Sequence, residues 1–423
     1  MKIERFYGGE ISFIKTDNLR ENKIVDVFTD YLTVEGNEEI KNSALEADDV
    51  IVTIIGATFD VVGRSAIVRK SHLPANINQN IALIRLDKTK INPTYLNAYL
   101  NTKYGRGSLH HHSRQTEQVN LNCREVERVL VPLFNQLEAG IESLSTKADT
   151  ASEKAALVYS QAETLLLDTL GMADFLPSSE AINIKSFKDS FSVTGRLDAE
   201  YYQPKYEQMV SHITGQPHAR LIKLVDINKS IEPGSDAYSD DDEGLPFLRV
   251  ADYSKYGITK PQKCLSTTFV AENSDDLAAL MPKKNTILFS KDGSVGEAYC
   301  LREDANFITS GAVLHLTVLD PDNVLPEYLT LALNSKLVKM QAERDAGGSI
   351  ILHWRVGEIE NVVVPLVDMP TQEKIAAMVQ ESFTLKAESE RLLDVAKRAV
   401  EIAIEQDENA ALSYLEQQNK VTQ

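Results

Sequence analysis

Asn92-Pro93-Thr94-Tyr95 differs at one position from Asn-Pro-Pro-Tyr, a pattern that grips an adenine turned out of a duplex. That chemistry also needs a Gly-rich cofactor loop following a strand, and the sequence offers none. A second stretch, Leu325-Pro326-Glu327-Tyr328, keeps only the Pro and the Tyr, as expected of a helix start and its packing residue. Gly293-Ser294-Val295-Gly296 lacks the Gly-Lys-Ser/Thr ending of a phosphate loop and reads as a tight turn between strands. His110-His111-His112 has no Cys or carboxylate at ligand spacing and reads as a polar loop rather than a metal site. Cys123, Cys264 and Cys300 stand far apart, without CxxC spacing, and read as small buried hydrophobes. No Ser-His-Asp set, Cys-His set or nuclease carboxylate cluster has local support, so catalysis is not expected of this chain.

What remains is a set of basic, amide and hydroxyl side chains in glycine-containing loops. In the first half these are Lys15, Thr16, Asn18, Arg64, Arg114 and Gln115. In the second half they are Arg249, Lys291, Ser294, Arg344, Gly347, Gly348, Ser349, His353 and Arg355. Arg and Lys suit guanine edges and phosphates, Asn and Gln suit adenine, and adjacent glycines permit close backbone approach. The formal charge of −18 opposes a nucleic-acid partner in bulk. Much of the acid, however, lies in helical stretches (138–168 and 373–408) and in the run Asp240-Asp241-Asp242-Glu243. Local distribution decides the field that a partner meets.

The elements that must position these loops emerge from an internal repeat. Val131-Pro132-Leu133 returns as Val364-Pro365-Leu366, and Pro93-Thr94-Tyr95-Leu96 as Pro326-Glu327-Tyr328-Leu329. Leu100-Asn101-Thr102 returns as Leu333-Asn334-Ser335, Glu125-Val126-Glu127 as Glu358-Ile359-Glu360, and Val62-Gly63-Arg64 as Val295-Gly296-Glu297. Ile11-Ser12-Phe13-Ile14-Lys15 parallels Leu245-Pro246-Phe247-Leu248-Arg249. Runs of β-branched residues at 50–55 and 286–290 predict strands, so the module is α+β. After each Val-Pro-Leu the apolar period becomes 3.5. The seam runs through Leu137, Ile141, Leu144, Ala148, Ala151, Ala155, Val158, Ala162 and Leu165 in one copy. In the other it runs through Ile375, Met378, Ser382, Leu385, Ser389, Leu392, Ala396, Ala399 and Ala403. Two matching seams predict a helix pair with closely approaching backbones. Such helices, about 50 Å long, would hold two modules apart.

A module ending in Val-Pro-Leu, followed by a long helix and then repeated, resembles the specificity subunit of type I restriction-modification systems. The residues that carry the likeness are Gly9-Glu10-Ile11-Ser12-Phe13-Ile14, Leu245-Pro246-Phe247-Leu248-Arg249, Gly347-Gly348-Ser349, Val356-Gly357-Glu358-Ile359 and Thr371-Gln372-Glu373-Lys374-Ile375. The resemblance implies an α+β fold of two similar target recognition domains separated by helices that pair as an antiparallel coiled coil. Its expected boundaries are 1–134 and 195–369 for the domains and 135–172 and 370–410 for the spacer helices. A connector at 173–194 and a tail at 411–423 complete the division. It further implies reading of a bipartite site in double-stranded DNA. A cytoplasmic location is expected separately, because no apolar run approaches the roughly 18 residues that span a membrane and Met1-Lys2-Ile3-Glu4-Arg5 opens into no signal-peptide core. Adenine-methyltransferase subunits would carry S-adenosylmethionine, and a motor or nuclease subunit would restrict; this chain would hold no cofactor. One departure stands out. Gly195-Arg196-Leu197-Asp198-Ala199-Glu200-Tyr201-Tyr202 and Leu221-Ile222-Lys223-Leu224 precede the second module, but their counterparts would fall before Met1. The chain is a shortened form, its start lies earlier, or another chain completes the fold. The competing expectation is a truncated or degenerate specificity-like protein acting mainly as a helical docking or interaction subunit.

Overall fold

A computed structural model describes residues 4–20, 22–25, 28–115, 118–180, 182–239, 244–348 and 350–421. They form two compact units: 1–154 with 385–423, and 155–384. The α+β expectation holds in both. In the first unit Val50–Thr53 is flanked by Ser65–Ile67 and Ile81–Ile84, both antiparallel to it. All four residues of Val50–Thr53 are buried, as an unbroken apolar and β-branched run requires of a strand covered on both faces. A second sheet sets Tyr7–Ile14 antiparallel to Tyr31–Leu32 and parallel to Ala75–Ile77.

The second unit repeats this plan. Ile287–Ser290 lies between Ala298–Cys300 and Val313–Val318, and Phe247–Leu248 runs parallel to Ile308–Thr309. Val52 pairs with Ser65, thirteen residues on, and Phe289 with Ala298, nine on. The connecting loop is therefore four residues longer in the first unit.

The repeated motifs turn out to be fasteners. Tyr95 Oη donates to the Pro132 carbonyl at 2.6 Å, and Tyr328 Oη to the Pro365 carbonyl at 2.7 Å. Each bond pins the short helix Pro93–Leu100 or Pro326–Asn334 to the Val-Pro-Leu segment that leads into a long helix. Asn101 Nδ2 donates to the Ser65 carbonyl, and Asn334 Nδ2 to that of Ala298, so the Leu-Asn dipeptide holds the neighbouring strand in both units. Thr102 and Ser335 hydroxyls donate to the carbonyls of Tyr99 and Ala332. The repeated Glu125 and Glu358 are third residues of short helices, and their carboxylates accept the N–H groups of Asn122 and Arg355. Asn92 caps its helix through the Thr94 N–H at 2.8 Å, which accounts for the Asn-Pro-Thr-Tyr pattern.

The long helices are Asn135–Thr169 and Met369–Glu405, and Glu408–Val421 follows. In the first unit they run antiparallel: Ser389 Oγ donates to the Ala148 carbonyl at 2.7 Å, and Glu408 Oε1 accepts the N–H groups of Gln136 and Leu137. In the second unit Ser382 Oγ donates to the Ala155 carbonyl at 2.7 Å. Alanine opposite serine lets the backbones close to hydrogen-bonding range. Ile141, Leu144, Val158, Ile375 and Leu392 are buried in this seam. Leu165, Met378 and Leu385 are corrections, because they lie half-buried while Leu166 and Val379 are buried. The helices keep close to 3.6 residues per turn there, so the buried stripe drifts off a strict heptad. Two further corrections concern isolated residues. Cys123 is exposed, and His110–His112 form the last turn of the helix Lys103–His112 rather than a loop. Helix formation there follows from its N-cap, where Thr102 Oγ1 accepts the Gly105 N–H. Among the described residues no helix is long and apolar enough to cross a membrane.

Tyr328→Phe leaves the buried Pro365 carbonyl without its donor and is expected to cost the second unit about 1–3 kcal/mol, read by urea denaturation with Trp354 fluorescence. Burial of His315 lowers its pKa to about 4, with Thr309 Oγ1 2.8 Å from Nε2. The unfolded chain therefore takes up a proton that the folded one refuses as pH falls below about 6.5. The contribution of His315 to stability should fall by up to ~3 kcal/mol between about pH 6.5 and about pH 4; a stability profile over that range that His315→Gln leaves unchanged would contradict this.

Candidate nucleic-acid interface

In the second unit, two loops are zipped together by backbone bonds. One, residues 291–297, joins the strands Ile287–Ser290 and Ala298–Cys300. The other, residues 346–355, follows the helix Lys336–Asp345. Gly293 N–H donates to the Leu352 carbonyl at 2.8 Å, and Trp354 N–H to the Lys291 carbonyl at 2.7 Å. His353 Nδ1 lies 2.9 Å from Asp292 Oδ1, and Gly347 and His353 exchange both of their N–H to carbonyl bonds. Trp354 beneath them is 1% exposed and packs against Phe289 with ring centroids 5.7 Å apart. It is an anchor, not a stacking platform.

Gly348 closes the tip. Its φ is 139°, and a Cβ there would fall 2.0 Å from the Ile351 carbonyl oxygen, so glycine alone fits. Gly293 and Gly296, at φ 73° and 78°, make the tight turn expected of Gly293-Ser294-Val295-Gly296.

The loop residues divide into those that hold this frame and those that face outward. Lys291 is spent on Asp292, and Arg344 on Asp345 with its guanidinium 5.0 Å above the Tyr201 ring. Ser294, Gly347, Gly348, His353 and Arg355 are exposed, and the Arg355 side chain has no ion-pair partner among the described residues. Arg249 belongs to a separate turn, where its N–H and Nε both face Asp252 Oδ2, at 2.9 and 3.4 Å. Ser349 lies outside the described residues.

The first unit repeats the loop pair. Leu121 N–H donates to the Ile54 carbonyl at 2.7 Å, and Val119–Asn120 pairs with both Ile55–Gly56 and Arg114–Gln115. Leu121, buried, occupies the place of Trp354. The candidates chosen from sequence fare differently here. Arg64 is buried and bonded to Asp60, Lys15 pairs with Asp30, and Asn18 is a buried cap for the Lys15 N–H. Each is engaged within the first unit: Arg64 by Asp60 four residues before it, Lys15 by Asp30 fifteen residues on, and Asn18 by the Lys15 N–H. Thr16 is half-buried, and its enclosed hydroxyl has no hydrogen-bond partner among the described residues. Arg114 is exposed but held 2.6 Å from Glu125, and the side chain of Gln115 lies outside what is described.

Residues 224–393 match the family model of the type I restriction modification DNA specificity domain. They run from the strand Val225–Lys229 into the second long helix and include the whole loop pair. Most of the matched residues lie in the second unit, which is thus similar over that stretch to a type I DNA specificity domain. Among solved structures, the type I S subunit from M. genitalium is 12% identical, with 95% of this chain and 90% of that one covered and a TM-score of 0.37. The HsdS subunit from Thermoanaerobacter tengcongensis is 16% identical, with 94% and 90% covered and a TM-score of 0.30. A chain from a structure of type I R-M complex assembly and conformational transition is 15% identical, with 96% and 91% covered and a TM-score of 0.31. No curated protein matches in sequence.

Within the matched residues, sequence reasoning passed over Ile350, Ile351 and Leu352, which are 95%, 54% and 43% exposed. An apolar triplet between Gly-Gly-Ser and a Trp, with neither helical nor strand period, was the available signal. Among the described residues, no group of three His, Cys, Asp or Glu is placed to hold a metal.

Gly348→Ala is expected to unseat the tip while leaving the Trp354 anchor in place. Hydrogen exchange should rise for the amides of Gly347 and His353, and the urea midpoint should move little; unchanged exchange there would refute the assignment of the frame.

Proposed function

We propose that the chain is a DNA sequence-specificity subunit of a type I restriction-modification complex. The observation that carries this is the match over 224–393, which contains a rigidly framed loop pair with an outward-facing tip. On this reading the tip of the second unit enters a groove of double-stranded DNA. Arg355 meets phosphate or a guanine edge, Ser294 bonds base edges or phosphate, and Ile350, Ile351 and Leu352 contact thymine methyls or wedge at a base step. Repetition of the loop pair supports a second reading head in the first unit, and hence a bipartite site. There, with Arg64, Lys15 and Asn18 committed internally, Arg114 and the segment after it are the contacts expected.

The subunit does no chemistry itself on this reading. S-adenosylmethionine and the adenine transfer belong to methyltransferase subunits docked on the long helices, and cleavage to a motor or nuclease subunit, all in the cytoplasm. The net charge of −18 opposes approach to a polyanion in bulk, so local cations such as Arg355 at the tip must supply the attraction.

Co-expression with an adenine methyltransferase of the type I class, followed by genome-wide mapping of methyladenine, should give a split motif. An intact complex with no modification would sink the proposal. In a salt titration of duplex binding, Arg355→Ala should weaken affinity about 5- to 50-fold; if Arg355 meets phosphate, the slope of log K against log salt should also fall by about 1.

A further inference from the structure

The stretch Gly195-Arg196-Leu197-Asp198-Ala199-Glu200-Tyr201-Tyr202 lies against the end of the helix Lys336–Asp345, from which the loop 346–355 departs toward the tip. Arg196 makes the contact. Its Nη1 donates to the Asp345 carbonyl at 2.9 Å and stands 3.7 Å from Glu358 Oε1. Glu358 Oε2 in turn accepts the Arg355 N–H at 3.2 Å. One guanidinium therefore meets both the residue that starts the loop and the carboxylate that caps the residue ending it.

Arg196 is itself held in place. Its N–H donates to Thr194 Oγ1 at 3.1 Å, and its carbonyl accepts the Tyr202 hydroxyl at 3.0 Å. Nε and Nη2 donate to the two carboxylate oxygens of Asp198 at 2.9 and 2.7 Å, a fork of fixed geometry that leaves Nη1 to point at the helix end. The guanidinium lies 4.6 Å from the centre of the Tyr201 ring, and Arg344, 5.0 Å from the same ring, is closed onto Asp345 by two bonds. Lys205 Nζ donates to Glu343 at 2.7 Å. Residues 196–205 thus grip Glu343, Arg344 and Asp345 in succession. The last carbonyls of a helix lack intrahelical partners and favour a cation, so an arginine there both satisfies a bond and fixes the point where the chain leaves the helix.

The first unit serves the same carboxylate by another route. Glu125, the counterpart of Glu358, accepts the Asn122 N–H on Oε2 and pairs with Arg114 through Oε1 at 2.6 Å. Arg114 pairs with Asn120 as Gly347 pairs with His353, so a glycine holds the place of Arg114 in the second unit. Gly347 has no side chain to offer, and Arg196 supplies the guanidinium from outside the loop. We propose that Arg196, set by Asp198 and Tyr201, is a positioning residue for the tip: it fixes where the loop 346–355 leaves and rejoins the fold, and thereby which bases the tip discriminates. The inference rests on the DNA-reading function. Base edges are told apart only by side chains held within about half an ångström, whereas phosphate contacts carry no sequence information. Loss of Arg196 should therefore blur discrimination before it abolishes binding.

In the full chain, Arg196→Ala is expected to raise hydrogen exchange at the Ala346 and Gly347 amides at least about tenfold, while the amides of Ile287–Ser290 keep their protection. In cells that co-express an adenine methyltransferase of the type I class, the same variant should broaden one half of the split methyladenine motif, admitting a second base at one position or more, and leave the other half unchanged. A clamp that merely stabilised the unit would lower methylation at every site and leave the motif as it was. Asp198→Ala removes the fork from a side chain that is 44% exposed, so it folds even if Arg196→Ala does not, and it should act in the same direction. The inference falls if either the exchange or the motif is unmoved by both variants, a uniform drop in methylation included. A split motif from the unaltered chain that both variants preserve would overturn this inference alone; no split motif from the unaltered chain would overturn the reading of DNA and this inference with it.

Discussion

The hydrogen bond from a buried tyrosine to the proline carbonyl of Val-Pro-Leu fixes how each unit hands its chain to a long helix. Tyr95 and Tyr328 sit at the third position of helices started by proline, inside the core, and their hydroxyls have one acceptor each. A buried hydroxyl without a partner costs more than the bond gains, so the Val-Pro-Leu segment cannot slide. With it fixed, Leu137 and Ile375 enter their cores, and the helix registers follow.

Those registers are then held by a second set of polar bonds in apolar surroundings. Ser382 and Ser389 are 7% and 6% exposed, and each finds a carbonyl on the facing helix. A slip by one residue would bury both hydroxyls unpaired. Leucine at these places would pack against its neighbours without discriminating between registers. The small side chains therefore trade some apolar burial for a single alignment, as buried polar residues do in coiled coils.

Much of this was legible in the sequence because a repeat compares the chain with itself. Pro, Tyr, Asn and Glu recurred at one spacing, and each proves to be a helix start, a clamp, a strand tie or a cap, so the repeat reported the scaffold. It could not report the interface with equal clarity. Loop cations were chosen for type and neighbourhood, and Arg64, Lys15 and Lys291 each have a carboxylate within a few residues or across a turn that neutralises them. Asn18 looked like a base-reading amide and is a cap, since the same short polar side chain serves both ends. Ile350 to Leu352 went unnoticed because apolar residues are expected inside, and only the closure of Gly347 on His353 turns them out.

That closure has a consequence for how the protein can change over generations. Gly348, Trp354 and Asp292 hold the frame and face inward or sideways, whereas Ser294, Ile350, Ile351 and Arg355 face outward and support no core. Surface substitutions that touch no buried feature cost little stability. The outward set can therefore drift through many sequences while the frame stays frozen, so a lineage could acquire a new preference at the tip without passing through a misfolded ancestor.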